Sequence, residues 1–211
     1  MNEFLERVRE AREKAKPRRF KQSWDFSVNL KGLDLKKPEN RINAEIILPE
    51  GLGRELKVAV IADSLVNEAK KSADLVITKE EIEEIAKNRK RLKKIAREYD
   101  RFLGEASLMP TIGKYFGIVL GQRGKMPKPI PPKVKIEPFI EAAKKTVKIS
   151  LKESPVVHVS VGTEDMPDEK IVANMEAVLN FLKEKLPKGK TNIKSAHIKL
   201  TMGPPVKVKI D

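Results

Sequence analysis

A formal charge of +14 over 211 residues makes an acidic partner, nucleic-acid phosphate foremost, the first expectation. The absence of cysteine excludes disulfides, zinc knuckles and thiolate nucleophiles, and aromatics at 5% are too few for rows of base-stacking platforms. No apolar run is long enough to span a bilayer, so a soluble intracellular protein without a membrane partner is expected, large enough for one big domain or two small ones. Abundant Lys and Glu without Cys also suit a high-temperature source.

In residues 2–16, Phe4, Leu5, Val8, Ala11 and Ala15 recur at helical spacing and predict an amphipathic helix, which Pro17 stops. Phe20 then stands alone among Arg18, Arg19 and Lys21. Trp24, Phe26, Val28 and Leu30 alternate with polar residues, the period of a strand with one buried face. A polar loop leads to a second alternation at Ile42, Ala44, Ile46 and Leu48, ended by Pro49-Glu50-Gly51-Leu52-Gly53.

After Gly53 the pattern changes. The continuous apolar run 58–62 predicts a parallel strand buried on both faces. A short helix over 64–71 and a strand over 74–77 follow. Thr78 with Glu81 forms a capping box opening one long charged helix towards Tyr99. A strand at 101–105, a helix over 108–120, a basic proline-rich loop over 121–132 and a short helix at 138–144 complete the stretch. Strand–helix alternation of this kind implies a parallel sheet. At Val147 the alternating style returns, with strands at 147–151 and 157–161 and a helix over 168–186.

The last stretch carries two alternations, Ala196, Ile198, Leu200 and then Val206, Val208, Ile210. They are joined by Thr201-Met202-Gly203-Pro204-Pro205, which cannot be strand interior, because Pro has no amide hydrogen for a ladder. Taken from its residues alone, this corner is either an ordinary turn ending a sheet or a stiff surface for another molecule. The fold expected from these patterns is an α+β domain built from residues 1–53 and 146–211 with an α/β parallel-sheet domain, 54–145, inserted. The two crossings, at Gly51, Gly53 and Thr146, would form a paired hinge.

Charge and chemistry divide differently. Residues 54–148 hold 22 basic and 13 acidic residues, a net of +9, against 22 and 17, a net of +5, for the two ends. Bulk electrostatics therefore favours the insert, while the rigid corner lies elsewhere; the charged helix beyond Lys87 is a solvated face or a docking ridge. Gly121-Gln122-Arg123-Gly124 fits a G-x-x-G nucleic-acid clamp, but the prolines from Pro127 to Pro132 forbid the helix that must follow. Gly124-Lys125 fails as a phosphate loop at Val119 and Met126. Gly51-x-Gly53 precedes its strand, so it is not a dinucleotide fingerprint. His158 and His197 have no triad or metal spacing. No catalytic residues, metal or cofactor are expected.

Two long segments, LMPTIGKYFGIVLGQRGKMPKPIPP (108–132) and LTMGPPVKV near the end, resemble the family of large-subunit ribosomal protein one, the mobile lateral-stalk protein. KPENRI before ILPEGLG, and AKPRRFKQS near the start, are similar to its archaeal branch. The resemblance covers essentially the whole chain. It implies a split βαβ-like α+β domain with a Rossmann-like α/β insert and a two-strand hinge. It further implies binding to large-subunit rRNA at the stalk, transient contact with exit-site tRNA, repression of its own messenger, a cytoplasmic, ribosomal location and a monomer off the ribosome. Its RNA-recognition positions fall on Phe20, Thr201, Met202 and Gly203, with Ser195 a further match and Arg19 and Lys21 set to touch phosphates. Gln122 stands where the family signature has proline, Glu50 where histidine is common, and Pro205 stiffens the corner. A general basic RNA scaffold and a nucleotide-using enzyme on the insert are the rival expectations.

Overall fold

In the computed structural model, which describes residues 2–132 and 134–210, the chain divides into two units. Residues up to Arg54 join those from Lys145 onward, and Glu55–Lys144 form the second.

In the first unit the alternation at Trp24–Leu30 becomes β1 (Ser23–Leu30), with every even residue buried. It lies between β8 (Val156–Thr163) and β9 (Ile193–Leu200), antiparallel to both, and β10 (Val206–Val208) adds to the far side of β9. β8 and β9 therefore run parallel with β1 between them, joined by α7 (Asp168–Lys185), which is a split βαβ unit. α7 and α1 (Asn2–Lys14) cover the face bearing Trp24, Phe26 and Val28. Each such fully buried large side chain contributes about 1.5–3 kcal/mol. β2 (Ile42–Ile47) and β7 (Thr146–Leu151) form a separate antiparallel ribbon. Ile210 lies beyond the last strand, so the final alternation is one residue pair shorter than its pattern.

One guanidinium ties the helices to the sheet. Arg12 donates from Nη1 to Glu164 O (2.7 Å), from Nη2 to Met166 O (3.0 Å) and Asp168 Oδ1 (2.7 Å), and stacks 5.3 Å over the Trp24 ring. The fork geometry of Arg suits this joint satisfaction of carbonyls and carboxylate.

The second unit is a parallel sheet of order β4–β3–β5–β6, from β3 (Val58–Ile61), β4 (Leu75–Ile77), β5 (Arg101–Glu105) and β6 (Lys128–Ile130). β3 serves two cores by alternation. Ala59 and Ile61 pack with α3 (Lys79–Lys87), α4 (Arg89–Glu98) and α5 (Met109–Gln122). Val58 and Val60 pack with α2 (Val66–Ser72) and α6 (Glu137–Lys145).

The second unit corrects several expectations. The long charged helix is two helices, because Asn88 leaves helical geometry (φ −103°, ψ 84°) and its side chain accepts from Arg91 N at 3.1 Å as the cap of α4. The proline-rich loop contains β6, tolerated because it is an edge strand and Pro129, opposite Gly104, needs no outward N–H. Gly121–Gly124 closes α5: Gly124 has φ +65° and Lys125 N donates to Leu120 O at 2.9 Å. Lys125 Nζ then caps α4 through Ala96 O (3.1 Å) and Tyr99 O (2.7 Å), a structural use of the motif. Finally, with the divisions after Arg54 and Lys144 the charge imbalance disappears. The insert has 19 basic and 13 acidic residues (+6) against 25 and 17 (+8) for the other unit.

At the carboxyl ends of β3 and β5, where doubly wound sheets receive ligands, the carboxylate of buried Glu105 occupies the anion position. Its oxygens accept from Asp63 N (2.9 Å), Ser64 N (3.1 Å), Ser64 Oγ (2.9 Å) and Ser107 Oγ (3.1 Å). Burial alone would raise its pKa, but the four donors outweigh burial and hold it below the ordinary glutamate range. A depressed folded-state pKa stabilises fully above the unfolded value of about 4.3 and loses that contribution as pH falls through the folded one. Glu105→Gln should therefore cost about 1–3 kcal/mol at pH 7, with the gap to the parent closing at acid pH. Thermal melts of both proteins from neutral pH down to about pH 3 check this, since the transition should fall below about pH 4; a pH-independent gap contradicts it.

Candidate RNA-binding corner

The corner Thr201–Pro205 is built by the start of β1 as much as by its own residues. Thr201 Oγ1 donates to Ser23 O (3.1 Å) and accepts from Ser23 N (3.1 Å), and Ser23 Oγ sits 3.1 Å away. The single hydroxyl proton goes to Ser23 O, so Ser23 Oγ is the donor in the third contact. Thr201 N also reaches Ser23 O at 3.0 Å. Next to it Met202 N donates to Gln22 Oε1 at 3.1 Å. Gln22 is 1% exposed, its own N–H held by Glu164 Oε2 (3.1 Å) and its carbonyl by Glu164 N (2.9 Å). Through Glu164 O and Arg12 the lock continues into α1 and α7.

Seen from solvent, the corner offers apolar side chains beside bare backbone. Met202 is 55% and Phe20 53% exposed, and Phe20 lies two residues before the Gln22 that holds Met202. Gly203 is closely packed, since a Cβ would stand 3.2 Å from Ala15 Cβ and 3.4 Å from Leu200 O. Its N–H closes the turn on Leu200 O at 2.8 Å. Lys199 Nζ bonds Thr201 O at 3.1 Å.

Thr201, Met202 and Gly203 form one turn, with Phe20 two residues before the Gln22 that accepts from Met202 N. The Thr201 hydroxyl makes its bonds inside the protein, to Ser23, and so positions the corner. Lys21 Nζ is engaged by Asp165 Oδ2 at 2.6 Å, a fully exposed pair that raises the lysine pKa and that a phosphate can displace. Arg19 is exposed with no ion partner among the described residues. Ser195 lies at the opposite end of β9, six residues or about 20 Å along the strand, its Oγ accepting from Asn29 Nδ2 at 2.9 Å.

Between these ends runs a polar sheet face that spacing in the sequence hid. In register, Ser27 stands opposite both His158 and His197, and Asp25 opposite Ser160 and Lys199. Burial raises the pKa of Asp25, only partly opposed by Lys199 and His158. The signal for this face was the odd-numbered set Ser23, Asp25, Ser27 and Asn29, but only strand order shows which residues flank it.

The supposed hinge residues are well held. Gly51 and Gly53 have φ of +65° and +70°. Buried Asn174 donates from Nδ2 to Gly51 O (2.7 Å) and Val161 O (2.8 Å) and accepts from Glu50 N (3.1 Å); Thr163 Oγ1 holds Gly53 O at 3.2 Å. Thr146 is the buried first residue of β7, paired with Ile47, one residue beyond the division between units.

Comparisons with known proteins carry this architecture, a split βαβ unit interrupted by a doubly wound insert, to a family. The sequence model of the ribosomal protein L1p/L10e family matches residues 11–204, and the chain belongs to that family. It is 53% identical over 207 residues to the large ribosomal subunit protein uL1 of Methanocaldococcus jannaschii, covering 98% of this chain and 94% of that one. It is 50% identical over 208 residues to the uL1 of Methanothermobacter thermautotrophicus, covering 98% of both chains. Against the uL1 of Thermococcus kodakarensis it is 52% identical over 208 residues, covering 98% and 96%. The chain is thus a ribosomal protein of archaeal type and not an enzyme.

Thr201→Val should break the lock and cost about 1–3 kcal/mol of stability in urea unfolding, whereas Thr201→Ser, which keeps the hydroxyl, should stay within about 1 kcal/mol of the parent. A larger loss for Thr201→Ser than for Thr201→Val would show that the methyl, not the hydroxyl, holds the corner.

Proposed function

We propose that this chain is a structural constituent of the large ribosomal subunit that binds large-subunit rRNA at the mobile lateral stalk, near the tRNA exit site. It contacts departing tRNA transiently, represses translation of its own messenger by binding a similar RNA structure, and is a monomer off the ribosome. The observation that carries this reading is the locked corner. Met202 and Phe20 present apolar surface against RNA, Gly203 lets a ribose approach the backbone, and Arg19 and Lys21 supply phosphate contacts. Ser195 and the polar sheet face extend the same surface along β9. Because the corner is fixed before binding, little ordering entropy opposes association. A messenger that copies the shape of the rRNA site would be gripped by the same residues, which is the physical basis for repression.

The 1–54 and 145–211 unit is the RNA-recognition domain in this reading. Since Gly51 and Gly53 are tied down by Asn174 and Thr163, we place the pivots at the Arg54–Glu55 and Lys144–Lys145 links.

The rival reading, an unspecific basic scaffold, differs in one measurable respect. Met202→Asp should weaken binding to a stalk rRNA fragment by about 10²-fold or more, roughly 3 kcal/mol, in filter binding with bulk tRNA as competitor. Binding that bulk tRNA competes away equally well, and that Met202→Asp leaves unchanged, supports the scaffold instead.

A further inference from the structure

Helix α4 is built against its own electrostatic interest. Between residues 87 and 97 the chain carries seven cations and no acid. Its first turn holds Arg89, Lys90 and Arg91 with no acidic residue, where the helix dipole favours negative charge. Like charges also repel at the four-residue spacing of Arg89–Lys93, Lys90–Lys94 and Lys93–Arg97. The neighbouring α3 offers Glu80, Glu81, Glu83 and Glu84, yet among the described residues only Arg91 of α4 pairs there, with Glu84 at 3.1 Å. Lys87, Arg89, Lys90, Lys93, Lys94 and Arg97 are exposed, and none has an ion partner among the described residues.

The apolar side of α4 is fully used: Leu92 and Ala96 are buried in the insert's core, with Ile95 packed beside them. Lys90, Lys94 and Arg97 lie opposite, at i, i+4 and i+7, a row about 10 Å long at 1.5 Å per residue. The ridge has no aromatic or aliphatic anchor, so it lacks what a protein interface core requires. Uncompensated, well-solvated cations in a row match a phosphate backbone, whose binding is driven by counterion release and needs no apolar contact.

We propose that α4 is a second, sequence-independent RNA contact on the inserted unit, taking the phosphate backbone through Lys90, Lys94 and Arg97. This rests on the reading that RNA is the chain's ligand, and it assigns the insert a part in affinity that is separate from recognition at Thr201–Gly203.

The test compares two triple variants of the full chain that change net charge equally. One is Lys90→Gln, Lys94→Gln, Arg97→Gln. The other is Lys70→Gln, Lys71→Gln, Lys144→Gln, on α2 and α6 across the sheet from α4, where all three residues are exposed. Binding to a stalk rRNA fragment and to duplex RNA of unrelated sequence is measured over a salt titration, with thermal melts to confirm folding. The ridge variant should reduce the slope of log K against log salt by about 2–3 and weaken both RNAs about tenfold at physiological salt, while the control changes little. Equal effects of the two variants, or none from the ridge variant, overturn the proposal; the second result would also leave an acidic protein as the ridge's partner. If the parent fails to distinguish the two RNAs, the corner reading falls, yet a ridge-specific slope change on the duplex still upholds the α4 contact.

Discussion

The first unit depends on a bond set between Ser23 and Thr201, residues 178 apart in sequence. It closes the molecule's two ends on each other at the one place where the sheet turns outward. A strand pair alone would leave the β9–β10 turn free to sample several shapes, because Pro204 and Pro205 fix their own φ but not the orientation of Met202. The Thr201 hydroxyl, with both of its roles used, and the Gln22 amide behind Met202 remove that freedom. Both are half-buried or buried, so water competes poorly for their bonds, which hold more firmly than surface ones. Glu164, Arg12 and Asp168 extend the lock into the helices, which explains why a solvent-exposed thioether can have a defined position.

Closure between distant residues also explains how an insert of 90 residues is tolerated. The cost of closing a loop grows only slowly with its length, and Glu55–Lys144 carries its own two cores, so the excursion is already ordered. At the carboxyl ends of its strands the insert turns two backbone amides and two hydroxyls on its own carboxylate, Glu105. On α4, by contrast, Arg91 alone of the exposed cations has an ion partner among the described residues.

Much of this was legible in the residues. Trp24, Phe26, Val28 and Leu30 mark a half-buried strand and Val58–Ile61 a doubly buried one, because side-chain alternation reports directly on which faces meet water. The family resemblance singled out the corner and the lone Phe20 as candidates. What stayed hidden depends on contacts that no local pattern encodes. Asn88 splits the charged helix by accepting one amide bond, a choice that strong helix formers on both sides conceal. β6 has a single buried residue, Ile130, and two neighbouring prolines, so it reads as loop. That the Thr201 hydroxyl bonds Ser23 on β1 is invisible in a sequence where the two lie 178 residues apart. His158 and His197 seem unrelated until strand order sets Ser27 between them.

Amide hydrogen exchange of the full chain, with and without a stalk rRNA fragment, tests the central claim most directly. The account predicts that RNA adds protection at residues 19–23 and 201–204, while the buried amides of α1 and α7 stay as they were. Protection that leaves both of those segments untouched would contradict it.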